Sequence, residues 1–109
     1  MGRKGLGELE QQVLLALLRM GGEGYSVPMV VEMEARSGQE VSQAAVFIVL
    51  RRLEDKGLVS SRMEGAGDTD SGRERRYFKL ESEGLRRLEE ARRLAERLWD
   101  GIDSVWEEG

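Results

Sequence analysis

Glycine punctuates the first half of the chain at Gly21-Gly22-Glu23-Gly24, at Gly38 and at Gly57, and each break closes a run of apolar residues at helical spacing. Glycine enters the left-handed backbone region without a Cβ penalty, so such positions end helices rather than continue them. Only short helices fit between them. The first run, Leu9 to Met20, puts Leu9, Val13, Ala16, Leu17 and Met20 on one face, widened by Leu14, Leu15 and Leu18. In the second, Ser26 is a candidate N-cap and Pro28 falls in the first turn, where its missing N–H costs no hydrogen bond. Val27, Val30, Val31 and Met33 would form its buried stripe up to Ser37-Gly38. Ser42 caps a third helix, predicted to run to about Lys56, with Val46, Val49, Leu50 and Leu53 inward. Gln43, Ala44, Phe47, Ile48, Arg51 and Asp55 take the opposite face.

Beyond Gly57 the periodicity changes. Leu58 to about Met63 suits a strand, and the polar, glycine-rich stretch from Gly65 to Gly72 suits a loop. Arg75 to Leu80 alternates, with Arg76, Phe78 and Leu80 on one side and Arg75, Tyr77 and Lys79 on the other. From Ser82 to the end the pattern is helical again. Leu85, Leu88, Arg92, Ala95, Trp99, Ile102 and Trp106 recur at spacings of three and four, the seam of a coiled coil, flanked by Leu94, Leu98 and Val105. Gly101 interrupts that seam and is expected to kink or loosen the last turns.

Composition narrows the chemistry. The chain has 109 residues, room for one domain, and no cysteine or histidine. Disulfides, thiolate metal sites, histidine-based triads and HExxH zinc sites are therefore excluded, and a reducing cytoplasm is the expected setting. No metal, cofactor or enzymatic activity is expected. The apolar run Val13 to Leu18 is too short to span a membrane, and Glu8, Glu10 and Arg19 flank it wrongly for a signal peptide. Glu8, Glu10, Glu32 and Glu34 read as solvent-facing helix carboxylates rather than acid–base pairs.

Three constellations carry functional meaning. Two short helices joined tightly, the second opening with small residues, is the layout of helix-turn-helix DNA readers. Ser42, Gln43, Ala44 and Ala45 would let that helix approach base edges, and Phe47, Ile48 and Arg51 share its outward face. Arg73, Arg75 and Arg76 stand at the base of the glycine-rich loop, placed to follow a phosphate backbone. The net charge of −4 opposes DNA binding. What a phosphate feels, however, is the field within about 10 Å at moderate salt, and Ser42 to Arg52 contains bases and no acid. On the last helix, Leu85, Leu88, Ala95, Leu98, Trp99, Ile102 and Trp106 fit packing against a second copy. A flat aromatic ligand between Trp99 and Trp106 is a further reading. The resulting expectation is a mostly α chain with a small β-hairpin. It comprises a winged helix-turn-helix in residues 1–80 and a C-terminal dimerisation helix in 81–109.

The stretch Ser42-Gln-Ala-Ala-Val-Phe-Ile-Val-Leu-Arg-Arg-Leu-Glu-Asp-Lys-Gly-Leu-Val59 resembles the recognition-helix motif of the PadR family of bacterial transcriptional regulators. Gly72-Arg-Glu-Arg-Arg-Tyr-Phe-Lys-Leu80 with Gly84 is similar to that family's wing strand and the start of its dimerisation helix. Leu6-Gly-Glu-Leu-Glu10 and Gly24-Tyr-Ser-Val-Pro28 fit as well. The resemblance implies a homodimer on an inverted-repeat operator in double-stranded DNA, repressing until a small hydrophobic or aromatic effector loosens it. It places Ser42 to Ala45 and Phe47 against DNA, and Arg73, Arg75 and Arg76 at phosphates. Two departures from the family pattern stand out: it commonly has tyrosine at Phe47 and often Gly-Thr at Ala44-Ala45, and each departure removes a hydroxyl. Arg52 stands where the family usually has arginine, read here as at least half structural and paired with a nearby acid. The competing reading is a winged-helix module that binds protein and no nucleic acid, motivated by the negative net charge and the outward Phe47 and Ile48.

Overall fold

In a computed structural model, which describes residues 5–65 and 75–102, the elements run in the order α1 (Glu8–Arg19), β1 (Glu23–Gly24), α2 (Ser26–Ser37), α3 (Gln43–Asp55), β2 (Val59–Glu64), β3 (Arg75–Leu80) and α4 (Ser82–Trp99). The core is built where the helical stripes meet one face of the sheet. Val13, Leu14, Ala16 and Leu17 of α1, Met29 and Met33 of α2, and Val46, Val49, Leu50 and Leu53 of α3 close over Leu58, Val59 and Phe78. The α3 stripe is the one expected from its spacing. In α1, Leu15 and Leu18 stay exposed, because α1's neighbours cover only the side carrying Val13, Leu14 and Leu17. In α2 the phase differs from expectation: Met29 and Met33 are buried, whereas Val27 and Val31 are exposed. Residues 27–33 hold two overlapping apolar stripes, and the long, flexible methionines fill the gap facing α1 and α3. The α2 N-cap is Tyr25 rather than Ser26, with no side-chain cap bond.

The expected hairpin gains a third strand. β2 and β3 pair antiparallel from Val59↔Leu80 to Glu64↔Arg75, and the glycine-rich break after α1 supplies β1, pairing Glu23↔Lys79 and Gly24↔Phe78 on the other side of β3. The Leu80 N–H donates to the Gly22 carbonyl at 2.7 Å. These bonds satisfy what would otherwise be an open edge of β3.

The start of α4 is pinned to the sheet. The Glu81 N–H donates to the Leu58 carbonyl at 3.0 Å, and Ser60 Oγ donates to Glu81 Oε2 at 2.5 Å. Gly84 lies directly on the Leu58 carbonyl, and Leu88 enters the chain's own core. Leu88 is therefore covered within one chain, a correction to its placement in an intermolecular seam. At the other end Asp100 leaves the helix, and Gly101 turns the backbone at φ +82°. Ile102 consequently lies past the helix rather than on its face, while Trp106 and Val105 fall outside the described residues, as do Arg73 and most of the loop that precedes β3.

One acid departs from the surface role expected of it. Glu10 is buried, accepting from the Gly7 N–H at 2.8 Å and from Lys56 Nζ at 2.7 Å, so it ties α1 to the end of α3. The sequence places it on a polar position of α1; α3 covers that position in the fold. Burial pushes its carboxyl up, but the bonds from Lys56 and Gly7 and the Lys56 and Arg52 charges outweigh this and hold it below the usual carboxylate range. Because the folded-state value is depressed, the ionised carboxylate stabilises the fold above the unfolded value, and that contribution is lost as pH falls through the folded one. Thermal melts of the wild type should therefore lose more stability between about pH 5 and 3 than those of Glu10→Gln. Parallel losses in the two proteins would contradict the assignment.

Candidate nucleic-acid interface

The exposed end of α3 is organised by its cap. Ser42 Oγ accepts from the Ala45 N–H at 3.2 Å, which fixes the first turn and frees Gln43 and Ala44 to face solvent. Small side chains there leave the backbone approachable. One turn along, Ile48 is 58% exposed and Phe47 37% exposed. The Phe47 ring meets the buried Phe78 ring edge-on, with centroids 6.0 Å apart at 78°. Phe47 is therefore braced by the sheet while its outer edge remains accessible.

The pattern of the transcriptional regulator PadR-like family matches residues 14–90, from within α1 to the middle of α4. The chain belongs to that family. A PadR-family transcriptional regulator from Eggerthella lenta is similar at 27% identity and a TM-score of 0.68, over 94% of this chain and 88% of that one. A winged-helix DNA-binding protein from STIV, 15% identical, shares the fold with a TM-score of 0.68 over 90% of this chain and 98% of that one. An uncharacterized protein of Lysinibacillus sphaericus is 25% identical over 84 residues, 77% of this chain and 74% of its own length. The fold of this PadR-like regulator is accordingly a winged helix-turn-helix, with β2 and β3 as the wing, and its role is transcriptional regulation.

On β3 of the PadR-like regulator, the strand alternation separates Arg75 from Arg76. Arg76 points to the α3 side, where Nη1 donates to Ser61 Oγ at 2.8 Å. Arg75 lies on the opposite face, its guanidinium 4.2 Å from the centroid of Tyr25. Tyr25 packs on Tyr77 at 5.2 Å, and Arg62 lies over Tyr77 at 5.1 Å. Arg62 also pairs with Glu23, at 3.0 Å, and with Glu64. Arg62, Tyr25 and Tyr77 were not among the residues singled out from sequence. The β2–β3 register, Arg62↔Tyr77, brings them together, and the loop length alone leaves that register open. Ser61 and Glu54 were also missed. Ser61 Oγ donates to Glu54 Oε2 at 2.6 Å, and Arg51 Nε stands 3.5 Å from Glu54 Oε1. Arg51 and Arg76, nominated from separate segments, are thus linked through Glu54 and Ser61, Arg51 reaching the carboxylate directly and Arg76 the serine hydroxyl.

The far half of α4 projects from the body: residues 92–100 are all exposed. Leu94, Leu98 and Trp99 are among them, and Leu94, Ala95 and Leu98 line an open groove of about 490 Å³ with Leu6 and Gln11. Among the described residues no cluster of acids is placed to hold a metal ion, and no helix is long and apolar enough to cross a membrane.

Proposed function

We propose that this PadR-like regulator binds operator DNA as a homodimer and represses the adjoining gene until a small aromatic effector displaces it. The observation that carries the reading is one continuous surface. The outward face of α3, with Gln43, Ala44, Phe47, Ile48 and Arg51, lies beside Arg76 of the wing, joined to it through Ser61 and Glu54. Small residues at the helix tip suit close approach to base edges in a major groove, and guanidinium groups beside it suit the flanking phosphates. The winged-helix DNA-binding protein of similar fold supports the same use. The projecting half of α4, where Leu94, Leu98 and Trp99 lie exposed among charged residues, supports pairing with a second copy. Trp99, 54% exposed on that half, supports a flat aromatic effector at the junction.

Selection of duplexes from a randomised pool, followed by fluorescence-anisotropy titration across salt, tests this. The selected duplexes should be inverted repeats with half-sites about 34 Å apart, or a multiple of that. The logarithm of affinity should fall with log salt at roughly 0.9 per phosphate neutralised. Arg76→Ala should flatten that slope by about one phosphate's worth, whereas changing Gln43 should alter base preference. Planar aromatic compounds added to the same titration should release the duplex. An unchanged slope removes the wing from the mechanism. Absence of binding even at low salt would replace the reading with a protein-interaction module.

A further inference from the structure

The Glu54 carboxylate is shared between two elements. Its Oε1 faces Arg51 on its own helix at 3.5 Å, and its Oε2 accepts the Ser61 hydroxyl of β2 at 2.6 Å. The same hydroxyl accepts from Arg76 of β3 at 2.8 Å. A serine hydroxyl has one proton to give, so donating to Glu54 leaves its lone pairs facing Arg76. The chain Arg76–Ser61–Glu54–Arg51 is therefore polarised in one sense, with cations at both ends and a single anion between them. The Glu54 side chain is 28% exposed and Arg51 51%, so the group is held at the protein surface rather than sealed in the core.

We infer that Glu54, through Ser61, is a positioning residue that holds Arg51 of the recognition helix and Arg76 of the wing at a fixed separation before DNA arrives. The inference rests on the DNA-binding reading above and deepens it to specificity. Two effects follow from the geometry. Holding two long, flexible side chains in place beforehand reduces the ordering cost when they meet their phosphates, which favours the one duplex whose shape matches that separation. The negative charge between them also offsets part of their attraction for phosphates elsewhere, which weakens binding to unmatched DNA. Glu54 therefore widens the gap between matched and unmatched sequences. A residue serving only to hold the wing to α3 would change both affinities together.

The test compares a duplex selected by the wild-type protein with a scrambled duplex of the same composition. Glu54→Gln keeps an acceptor for Ser61 and removes the charge. It should bind the scrambled duplex about two- to threefold more tightly, from the loss of one screened charge near the phosphates. It should also bind the selected duplex more weakly, so that the ratio of the two affinities falls about tenfold. Ser61→Ala keeps the charge and breaks the link to Arg76; its ratio should fall with scrambled-duplex affinity unchanged. Side-chain Nε–Hε relaxation of the arginines, measured without DNA, reads the positioning directly. Arg51 should be ordered in the wild type and mobile in Glu54→Gln, and Arg76 should be mobile in Ser61→Ala. Arginines equally ordered in all three proteins, or a ratio within twofold of wild type in both variants, would overturn the inference. If the wild type discriminates no duplex while the relaxation differences appear, the positioning stands and the DNA reading fails instead.

Discussion

Gly84→Ala should destabilise the fold by about 3 kcal/mol and lower the melting temperature by about 10 °C or more, with α4 displaced from the sheet. In an ordinary helix interior the same change is worth close to 1 kcal/mol in the opposite direction, because alanine is the better helix former. The sign is decided by what the added methyl meets. A Cβ at this position would overlap the Leu58 carbonyl oxygen and stand 2.8 Å from Leu80 Cδ1. The oxygen belongs to backbone that accepts from Glu81, so no rotamer change relieves the contact, and the helix must lift. Lifting it strains the Ser60–Glu81 bond and withdraws Leu88 from the core. A loss of that size is a large fraction of the roughly 5–15 kcal/mol that holds a domain of this size folded. Gly38→Ala provides the contrast. It meets no neighbouring atom, and its only cost is the left-handed conformation at φ +70°, about 1–2 kcal/mol. Equal melting temperatures for Gly84→Ala and wild type would show that α4 is not seated on Leu58 as described.

The sequence carried those features whose signal is local. The α3 stripe of Val46, Val49, Leu50 and Leu53 and the cap at Ser42 depend on spacing within one helix, and each is found where the spacing placed it. The alternation of Arg75 to Leu80 likewise fixed which side chains oppose which. The features that were illegible depend on a partner far along the chain. Glu10 is a surface acid until Lys56 arrives across 46 residues, and Glu23-Gly24 is a helix stop until β3 lies beside it. Leu88 belongs to a periodic apolar face whose inner end is claimed by the chain's own core and whose outer end is not, a boundary that periodicity cannot mark. The candidate interface shows the same division. Its exposed residues were readable on α3, but the carboxylate linking Arg51 to Arg76 came from Glu54, which reads from sequence as an ordinary acid in the last turn of a helix.

If the homodimer proposed above pairs through α4, Leu98→Glu should raise its dissociation constant by about 100-fold or more while leaving the fold of each chain intact. Leu98 is 65% exposed and lies in the projecting half of α4, away from the chain's own core. At an exposed helix position such a change alters the stability of a lone chain by no more than about 0.5 kcal/mol, and glutamate suits a helix as well as leucine does. Within a symmetric interface the consequences double. Each copy loses a leucine whose burial is worth about 1.5–3 kcal/mol, and two carboxylates must be desolvated in its place. Sedimentation or light scattering reads the mass, and circular dichroism reads the fold. On DNA the effect should be larger still. Two linked reading heads gain about 10²–10⁴ in affinity over one, so the variant should lose that factor on the selected inverted repeat and nothing on an isolated half-site. A variant that keeps wild-type mass would place the interface elsewhere, and one that loses affinity for the half-site as well would point to a damaged α3. Retention of half-site binding with loss of the repeat is the outcome that only pairing through this helix produces, because Leu98 has no contact with the reading surface of its own chain.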